Sequence, residues 1–275
     1  MTYSVFAEKL QEYRNTHTLA TDVPIETQNK IWDEVLKNNI FVICKTEMAK
    51  SITKRTLRGF RQAKVNARYF EDLINKITNQ QQLFLGKVVK GKQYWNNYDI
   101  EDNMKFNAIV GNPPYQEETK GAGRQARPLY NKFVDISRLL SPEYLSMVMP
   151  SRWFAGGMGL DSFRESMLND KRIIKLIDYT NSKDCFPQIS ISGGVCYFLW
   201  SKSWSGNCSF TNIINGTKQS MLRPLNEFDV LVRYNTAVDI IRKVKKLNEN
   251  LLADISSSLM PFGLGTDVRG KNEKN

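Results

Sequence analysis

The sequence predicts an α/β fold in which a parallel sheet is built by crossover helices. Three observations carry that prediction. Short apolar runs suited to buried strands recur at 39–44, 106–111, 144–150, 173–179 and 194–201. Helix-spaced apolar patterns fall between several of them, at 46–58, 129–140 and 160–169, and strands alternating with helices imply parallel pairing. The composition, 41% hydrophobic and 24% charged over 275 residues, excludes general disorder and supports a substantial core.

Taken in order, residues 3–14 and 25–38 carry apolar spacing for helices. In the second, Ile25, Ile31, Trp32, Val35 and Leu36 gather on one face. Residues 39–44 (NIFVIC) read as a short buried strand. Thr46 is a natural cap for a helix through Ala49, Ile52 and Leu57 that stops near Gly59. Residues 60–105 are less regular. Within them 87–98 (KVVKGKQYWNNY) mixes lysines, aromatics and asparagines, which suits either a nucleic-acid-facing loop or an ordinary solvated one. FNAIVG at 106–111 is the next strand. A basic loop follows at 119–127, then a helix at 129–140 with Phe133 and Ile136 on its apolar face. Strand 144–150, helix 160–169 and strands 173–179, 194–201 and 208–214 complete the α/β pattern. From about residue 222 the pattern changes, and 229–247 reads as a basic helix. The division expected is therefore 1–221, an α/β domain, and 222–275, a helical and basic region.

Charge narrows the function. Lys plus Arg number 39 and Asp plus Glu 28, a net +11, which favours a polyanionic partner, nucleic acid first. No apolar run reaches the roughly 18 residues of a membrane span, and the first residues lack a signal-peptide core. The four cysteines, Cys44, Cys185, Cys196 and Cys208, show no zinc-type pairing. They read as reduced thiols of a cytoplasmic protein, bacterial or archaeal in type. A single histidine, His17, leaves no basis for a histidine triad or a multi-histidine metal site, and no metal is expected.

The segment that carries chemistry is Asn112-Pro113-Pro114-Tyr115, directly after the strand FNAIVG. Ligands of open α/β sheets bind beyond the carboxyl ends of strands. Two prolines there fix the backbone and remove two N–H donors. The corner left is rich in acceptors, the Asn112 side-chain oxygen and the Pro113 carbonyl. The amino group of adenine is a poor nucleophile because its lone pair is delocalised into the ring. Two acceptors holding its two N–H bonds favour a pyramidal nitrogen with an available lone pair. A flipped base can stack on an aromatic ring such as Tyr115. The plain alternative is a proline turn whose tyrosine packs on the fold.

With these residues in view, the sequence resembles the adenine-specific N6 DNA methyltransferases that use S-adenosylmethionine, and especially the methylase portions of Type IIG-like restriction–modification enzymes. FNAIVGNPPYQ, the helix RPLYNKFVDISRLL, the strand and turn YLSMVMPSRWFAGG, the segment DCFPQISISGGVCYFLW and the Phe262-Gly263-Leu264 start of a recognition segment follow family order over about residues 40–265. The resemblance implies a Rossmann-like methyltransferase sheet and the start of a C-terminal DNA-recognition region. Asn112 and Pro113 then accept from the target amino group, Pro114 stiffens the corner and Tyr115 stacks on the base. Phe186 contacts the base from another side, and Arg124 and Arg127 meet DNA. Phe133 packs on the cofactor's adenine and Glu47 takes the ribose hydroxyls. Core packing remains open for both phenylalanines, and a helix-start role for Glu47.

The sequence departs from the family in two respects. The acidic, glycine-rich first motif that wraps the methionine part of the cofactor is not found. GAGRQA at 121–126 opens no strand–turn–helix unit, and Asn107 stands where an acid is common. The cofactor site is therefore expected to be incomplete, with the chain a fragment or a split gene product. Double-stranded DNA and a missing N-terminal methylase or nuclease portion are the expected partners, with no membrane. A non-catalytic DNA-binding subunit and a methyltransferase of RNA or protein stay open as alternatives.

Overall fold

The computed structural model describes residues 1–17, 22–117, 126–247 and 249. Two compact units are present, Met1–Leu231 and Val232–Asn275. The second contains a basic helix, Asn235–Lys246, which starts six residues later than the sequence pattern places it.

The first unit opens with two helices, α1 (Thr2–His17) and α2 (Ile25–Asn38). Tyr3 and Phe6 of α1 pack on Trp32 of α2, with ring centroids 5.0 and 5.4 Å apart. His17 is exposed and stacks on Tyr13 at 3.9 Å, a surface role. Strand β1 (Phe41–Cys44), helix α3 (Glu47–Arg58) and strand β2 (Asn66–Tyr69) form a parallel crossover unit. The ends of α3 follow its sequence. Thr46 accepts a hydrogen bond from Ala49 N at 3.0 Å, and Gly59 closes the helix at φ +61, a backbone region that glycine enters without strain.

Behind β1 and β2 lies a buried amide network. Asn66 Nδ2 faces the carbonyls of Leu36, Lys37 and Ile40, at 3.2, 2.7 and 3.1 Å. Asn97, fully buried, donates to Lys37 O at 2.7 Å and to Asn66 Oδ1 at 3.1 Å. A buried carbonyl that loses its donor keeps its desolvation penalty. Asn66→Leu is therefore expected to cost about 2–3 kcal/mol, read as a lower urea midpoint with an unchanged slope.

Residues 60–105 are more ordered than their sequence suggests. They hold helices α4 (Leu73–Asn79), α5 (Gln81–Val89) and α6 (Lys92–Trp95) besides β2. Trp95 is buried and donates to Val88 O at 3.1 Å, and Tyr94 stacks on Phe70 at 5.0 Å. The stretch at 87–98 is thus mostly helical and not a loop, with Lys87, Lys90 and Lys92 exposed. Tyr94 and Trp95 pack in the core while Tyr98 is exposed, a split that the interleaved lysines mask.

The larger sheet contains β3 (Ala108–Gly111), β4 (Tyr144–Pro150), β5 (Ile173–Tyr179), β6 (Val195–Ser201), β7 (Cys208–Ile214) and β8 (Thr217–Arg223), in the order β3-β4-β6-β5-β7-β8. Helix α7 (Tyr130–Leu139) links the parallel pair β3 and β4, and α8 (Asp161–Asn169) precedes β5. The sheet is mixed, whereas the helix–strand alternation predicts a parallel one. β6 runs antiparallel between β4 and β5, and β8 runs antiparallel to β7. Only one turn of 3-10 helix, Ser182–Asp184, lies between β5 and β6, too short to carry the chain back for a parallel return. The α/β class and the Rossmann-like crossover units hold.

The main core lies on this sheet and centres on Leu145, Met149, Trp153, Leu176 and Phe198, each fully buried. A second cluster gathers Phe70, Leu73, Ile77, Phe84, Val88, Trp95 and Ile136. Among the described residues no helix is long and apolar enough to cross a membrane.

Candidate active site at the carboxyl end of β3

Strand β3 ends at Gly111 and delivers Asn112 to the rim of the sheet. Asn112 is exposed, Pro113 is buried, and Pro114 and Tyr115 are half-buried. The prolines thus anchor the corner while its asparagine faces outward. Neither the Asn112 side chain nor the Pro113 carbonyl accepts a hydrogen bond among the described residues. Two acceptors therefore stand uncommitted on a rigid backbone.

The chain beyond the corner is pinned. Leu129 N donates to Tyr115 O at 3.1 Å, Glu117 N donates to Arg127 O at 2.9 Å, and Gln116 pairs with Pro128. These bonds clamp the base of the basic loop. Arg127 sits exposed at that clamp, on the same loop base as Tyr115. Arg124 and Phe262-Gly263-Leu264 lie outside the described residues.

The Tyr115 phenol is pushed up to about 12, chiefly by burial and further by the neighbouring Cys185 and Cys196 thiols. That proximity brings the segment after β5 to the corner. There Phe186, half-buried, follows Cys185, and its N–H donates to Ser182 O at 2.8 Å. Ser182, itself buried, holds this loop by donating to Ile189 O at 3.2 Å and accepting from Ile191 N at 2.8 Å. Asn112, Pro113, Pro114 and Tyr115 thus share one corner, and Phe186 adjoins it.

The raised phenol sets a pH dependence. A tyrosine whose folded pKa lies above its ordinary value of about 10 adds stability that is complete below that value. The stability is lost as pH rises through the folded pKa. Tyr115, and the half-buried Tyr94 and buried Tyr130 that are raised in the same way, place this loss above pH 10. An ultraviolet titration is expected to show these three phenols ionising late, with unfolding setting in over the same range. Tyr115→Phe removes one late-titrating group.

Two residues at the strand ends escape sequence reasoning. Ser151, directly after β4, donates to Asp178 Oδ1 of β5 at 2.6 Å, with both side chains buried. Its backbone N–H donates to Gly194 O at 3.0 Å, and Trp153 donates to Cys196 Sγ at 3.4 Å. The chain leaving β4 thus folds over the end of β6 and ties β4 to β5 beside the corner. A serine after a proline-terminated strand and an acid near the end of the next apolar run were the only signals.

The residues expected to hold a cofactor are less united. Glu47 begins α3 just beyond the carboxyl end of β1, is exposed and pairs with Lys50 at 2.5 Å. That arrangement matches a helix-start acid and leaves the carboxylate reachable. Phe133 of α7 is half-buried and packs on both core clusters, the core role. The turns leaving β1, β2, β3 and β4 begin Lys45-Thr46, Phe70-Glu71, Asn112-Pro113 and Ser151-Arg152. None is a glycine cradle that could wrap a charged tail. The described residues therefore fit part of a nucleoside site and do not fit a whole S-adenosylmethionine. They also contain no group of three His, Cys, Asp or Glu able to hold a metal.

An α/β domain with an Asn-Pro-Pro-Tyr corner at a strand end defines a class, and comparison with known proteins gives the family. Residues 38–186, more than half of the chain, match the model of the Eco57I restriction-modification methylase family. The chain belongs to that family. A relative from Mycoplasma pneumoniae, described as an uncharacterized adenine-specific methylase, is 33% identical over 147 residues, covering 52% of this chain and 33% of the relative. The chain thus aligns with about a third of that relative's length. Among solved structures, a type I restriction-modification methyltransferase subunit from Streptococcus thermophilus is 12% identical at a TM-score of 0.41, covering 78% of this chain and 43% of that one. The type IIG restriction endonuclease BpuSI is 14% identical at a TM-score of 0.34, covering 54% and 23%.

Proposed function

We propose that this chain is the part of a restriction–modification DNA methyltransferase that holds the target adenine for methylation at N6. The observation that carries the reading is the uncommitted pair of acceptors at Asn112 and Pro113, inside the segment that matches the methylase family. The Asn112 side-chain oxygen and the Pro113 carbonyl accept from the two N–H bonds of the adenine amino group. Held in this way, the nitrogen is drawn out of conjugation and its lone pair points away from the acceptors. The Tyr115 ring stacks on the flipped base. With its phenol pushed up to about 12, the ring stays neutral at working pH and takes no proton from the base. Phe186 closes the base from the side of the Ser182 loop. Arg127, and Arg124 beyond the described residues, meet the DNA backbone. Positioning of this kind supplies most of the acceleration in such a transfer.

S-adenosylmethionine supplies the methyl group in this chemistry. Glu47 would hold its ribose hydroxyls, and the exposed part of Phe133 would border its adenine. The cradle for the remainder comes from outside the described residues, in a larger assembly with a methylase or nuclease portion.

The reading is tested by DNA binding first. Anisotropy of labelled duplex DNA is expected to show affinity that falls steeply with salt, as counterion release requires. Arg127→Ala is expected to weaken binding by severalfold and to reduce the salt slope by about one. Affinity that ignores salt contradicts the reading.

A further inference from the structure

The α3–β2 segment carries a cleft whose charges the corner after β3 does not use. Its volume is about 240 Å³. Lys54 and Arg58, four residues apart and so on one face of α3, line it. Lys64, two residues ahead of β2, and Arg68 within β2 line it too. Ala63 and Ala67 leave room between these long side chains. Among the described residues no Asp or Glu lines the cleft. Lys54, Arg58 and Arg68 are half-buried and Lys64 is exposed.

Neighbouring bases have their counter-charges. Lys37 holds Asp99 at 2.9 Å, Arg61 holds Asp33 at 2.9 Å, and Lys50 pairs with Glu47. The four bases of the cleft make no ion pair among the described residues. Their printed contacts are neutral. Lys64 Nζ donates to Asn97 Oδ1 at 3.3 Å, and the Arg68 guanidinium lies 5.8 Å from the centre of the Tyr94 ring. Burial pushes the Lys54 ammonium down, and Lys50, Arg68 and Arg58 push it further, with Glu47 opposing. Like charges gathered in a half-buried place repel one another and lose hydration. A helix carboxyl end attracts cations and accounts for Arg58 in the last turn of α3. It does not account for Lys64 and Arg68, which lie beyond the helix. A counter-anion in the cleft accounts for all four.

We propose that this cleft binds a compact, multiply charged phosphate anion of the diphosphate or triphosphate kind, held by Lys54, Arg58, Lys64 and Arg68. Guanidinium groups meet phosphate oxygens in pairs, and ammonium groups meet them as point charges. Four bases around one anion match several negative charges on linked phosphates better than the single charge of one diester. A duplex spreads its charges along its length, about one per 1.7 Å of axis, and suits bases strung over a surface. Bases that converge on one small cleft suit a compact anion. The proposal stands apart from the reading of the Asn112 corner as a methylase site.

Calorimetric titration of the full chain with tripolyphosphate tests it. One-to-one binding is expected, about tenfold or more tighter than that of inorganic phosphate, and weakening with salt. Lys54→Gln with Arg58→Gln is expected to weaken it about tenfold or more. Lys64→Gln, at an exposed position where folding is not at stake, is expected to weaken it severalfold by itself. Lys87→Gln with Lys90→Gln removes two charges from exposed positions outside the cleft and is expected to change it by less than about twofold. In a parallel titration with labelled duplex DNA, the two double variants are expected to bind alike. Absence of tripolyphosphate binding, affinity no better than that of phosphate, or affinity indifferent to which charges are removed overturns the proposal. Duplex affinity lost with the cleft variant and kept by the other double variant also overturns it, since the cleft then serves the DNA backbone. Because the readout is anion binding and not methyl transfer, failure of the methylase reading leaves this result untouched.

Discussion

Asn112→Ala is expected to abolish methyl transfer to DNA, by about a hundredfold or more, while the protein keeps its fold. The rate effect follows from the chemistry of the acceptor. Removing one preorganised polar group aimed at the reacting atoms commonly costs a factor of about 10²–10³. Alanine leaves the Pro113 carbonyl to hold one N–H bond alone, and the amino nitrogen then relaxes into conjugation with the ring. The stability effect is small because Asn112 is exposed and bonded to nothing among the described residues. Exposed positions of this kind stay within about 0.5 kcal/mol on substitution. Assembly purified through the chain, assayed for transfer of labelled methyl to DNA and melted in parallel, separates the two effects. Asn112→Asp keeps an acceptor oxygen and is expected to retain measurable activity, which a merely structural role for the residue does not predict.

Trp153→Ala is expected to have the reverse pattern, a large loss of stability. Trp153 is fully buried in the main cluster. Its ring meets Phe154 at 4.6 Å and Phe163 at 5.9 Å, edge to face. Truncation leaves a cavity, and Trp→Ala in a core costs about 3–5 kcal/mol. For a unit of this size that is a fall in Tm of roughly 10 °C or more. Because Trp153 lies two residues after Ser151, the same change loosens the tie between β4 and β5 beside the corner. Methyl transfer is therefore expected to fall even at temperatures where the variant stays folded. Calorimetry against an assay at low temperature checks both parts.

Most of the framework was legible in the sequence because its signals are local. β4, β5 and β7 have the bounds that their apolar runs indicate. α2 and α3 have theirs because an apolar stripe, the Thr46 cap and the Gly59 stop all agree. The corner itself was legible because two prolines after a strand allow little else.

The elements that escaped lack such signals, or carried one that was read otherwise. β2 is only Asn-Ala-Arg-Tyr, and its burial depends on Asn66 finding carbonyls some 30 residues away. β8 is an edge strand with exposed alternating positions and no apolar face. Its hairpin was nevertheless announced by Asn215-Gly216, both at positive φ between β7 and β8. Trp95 and Asn97 were hidden by their lysine neighbours. Sheet order was not legible, since the antiparallel insertion of β6 depends on contacts far apart in the chain.

For the site, the residues themselves led to Asn112–Tyr115, and the resemblance led to Phe186 nearby. It did not lead to the Ser151–Asp178 tie, because a hydrogen bond across β6 has no linear pattern. The assignments of Glu47 and Phe133 were drawn from resemblance. Their surroundings, an ion pair with Lys50 and two core clusters, equally serve the fold.

The central claim is that the methyl group goes to the N6 nitrogen of adenine in DNA. The most direct test supplies labelled S-adenosylmethionine and DNA to assembly purified through this chain, digests the product to nucleosides and finds the label by chromatography and mass spectrometry. The account predicts label in N6-methyladenosine's deoxy form and nowhere else. Label on cytosine, on RNA or on protein would contradict it.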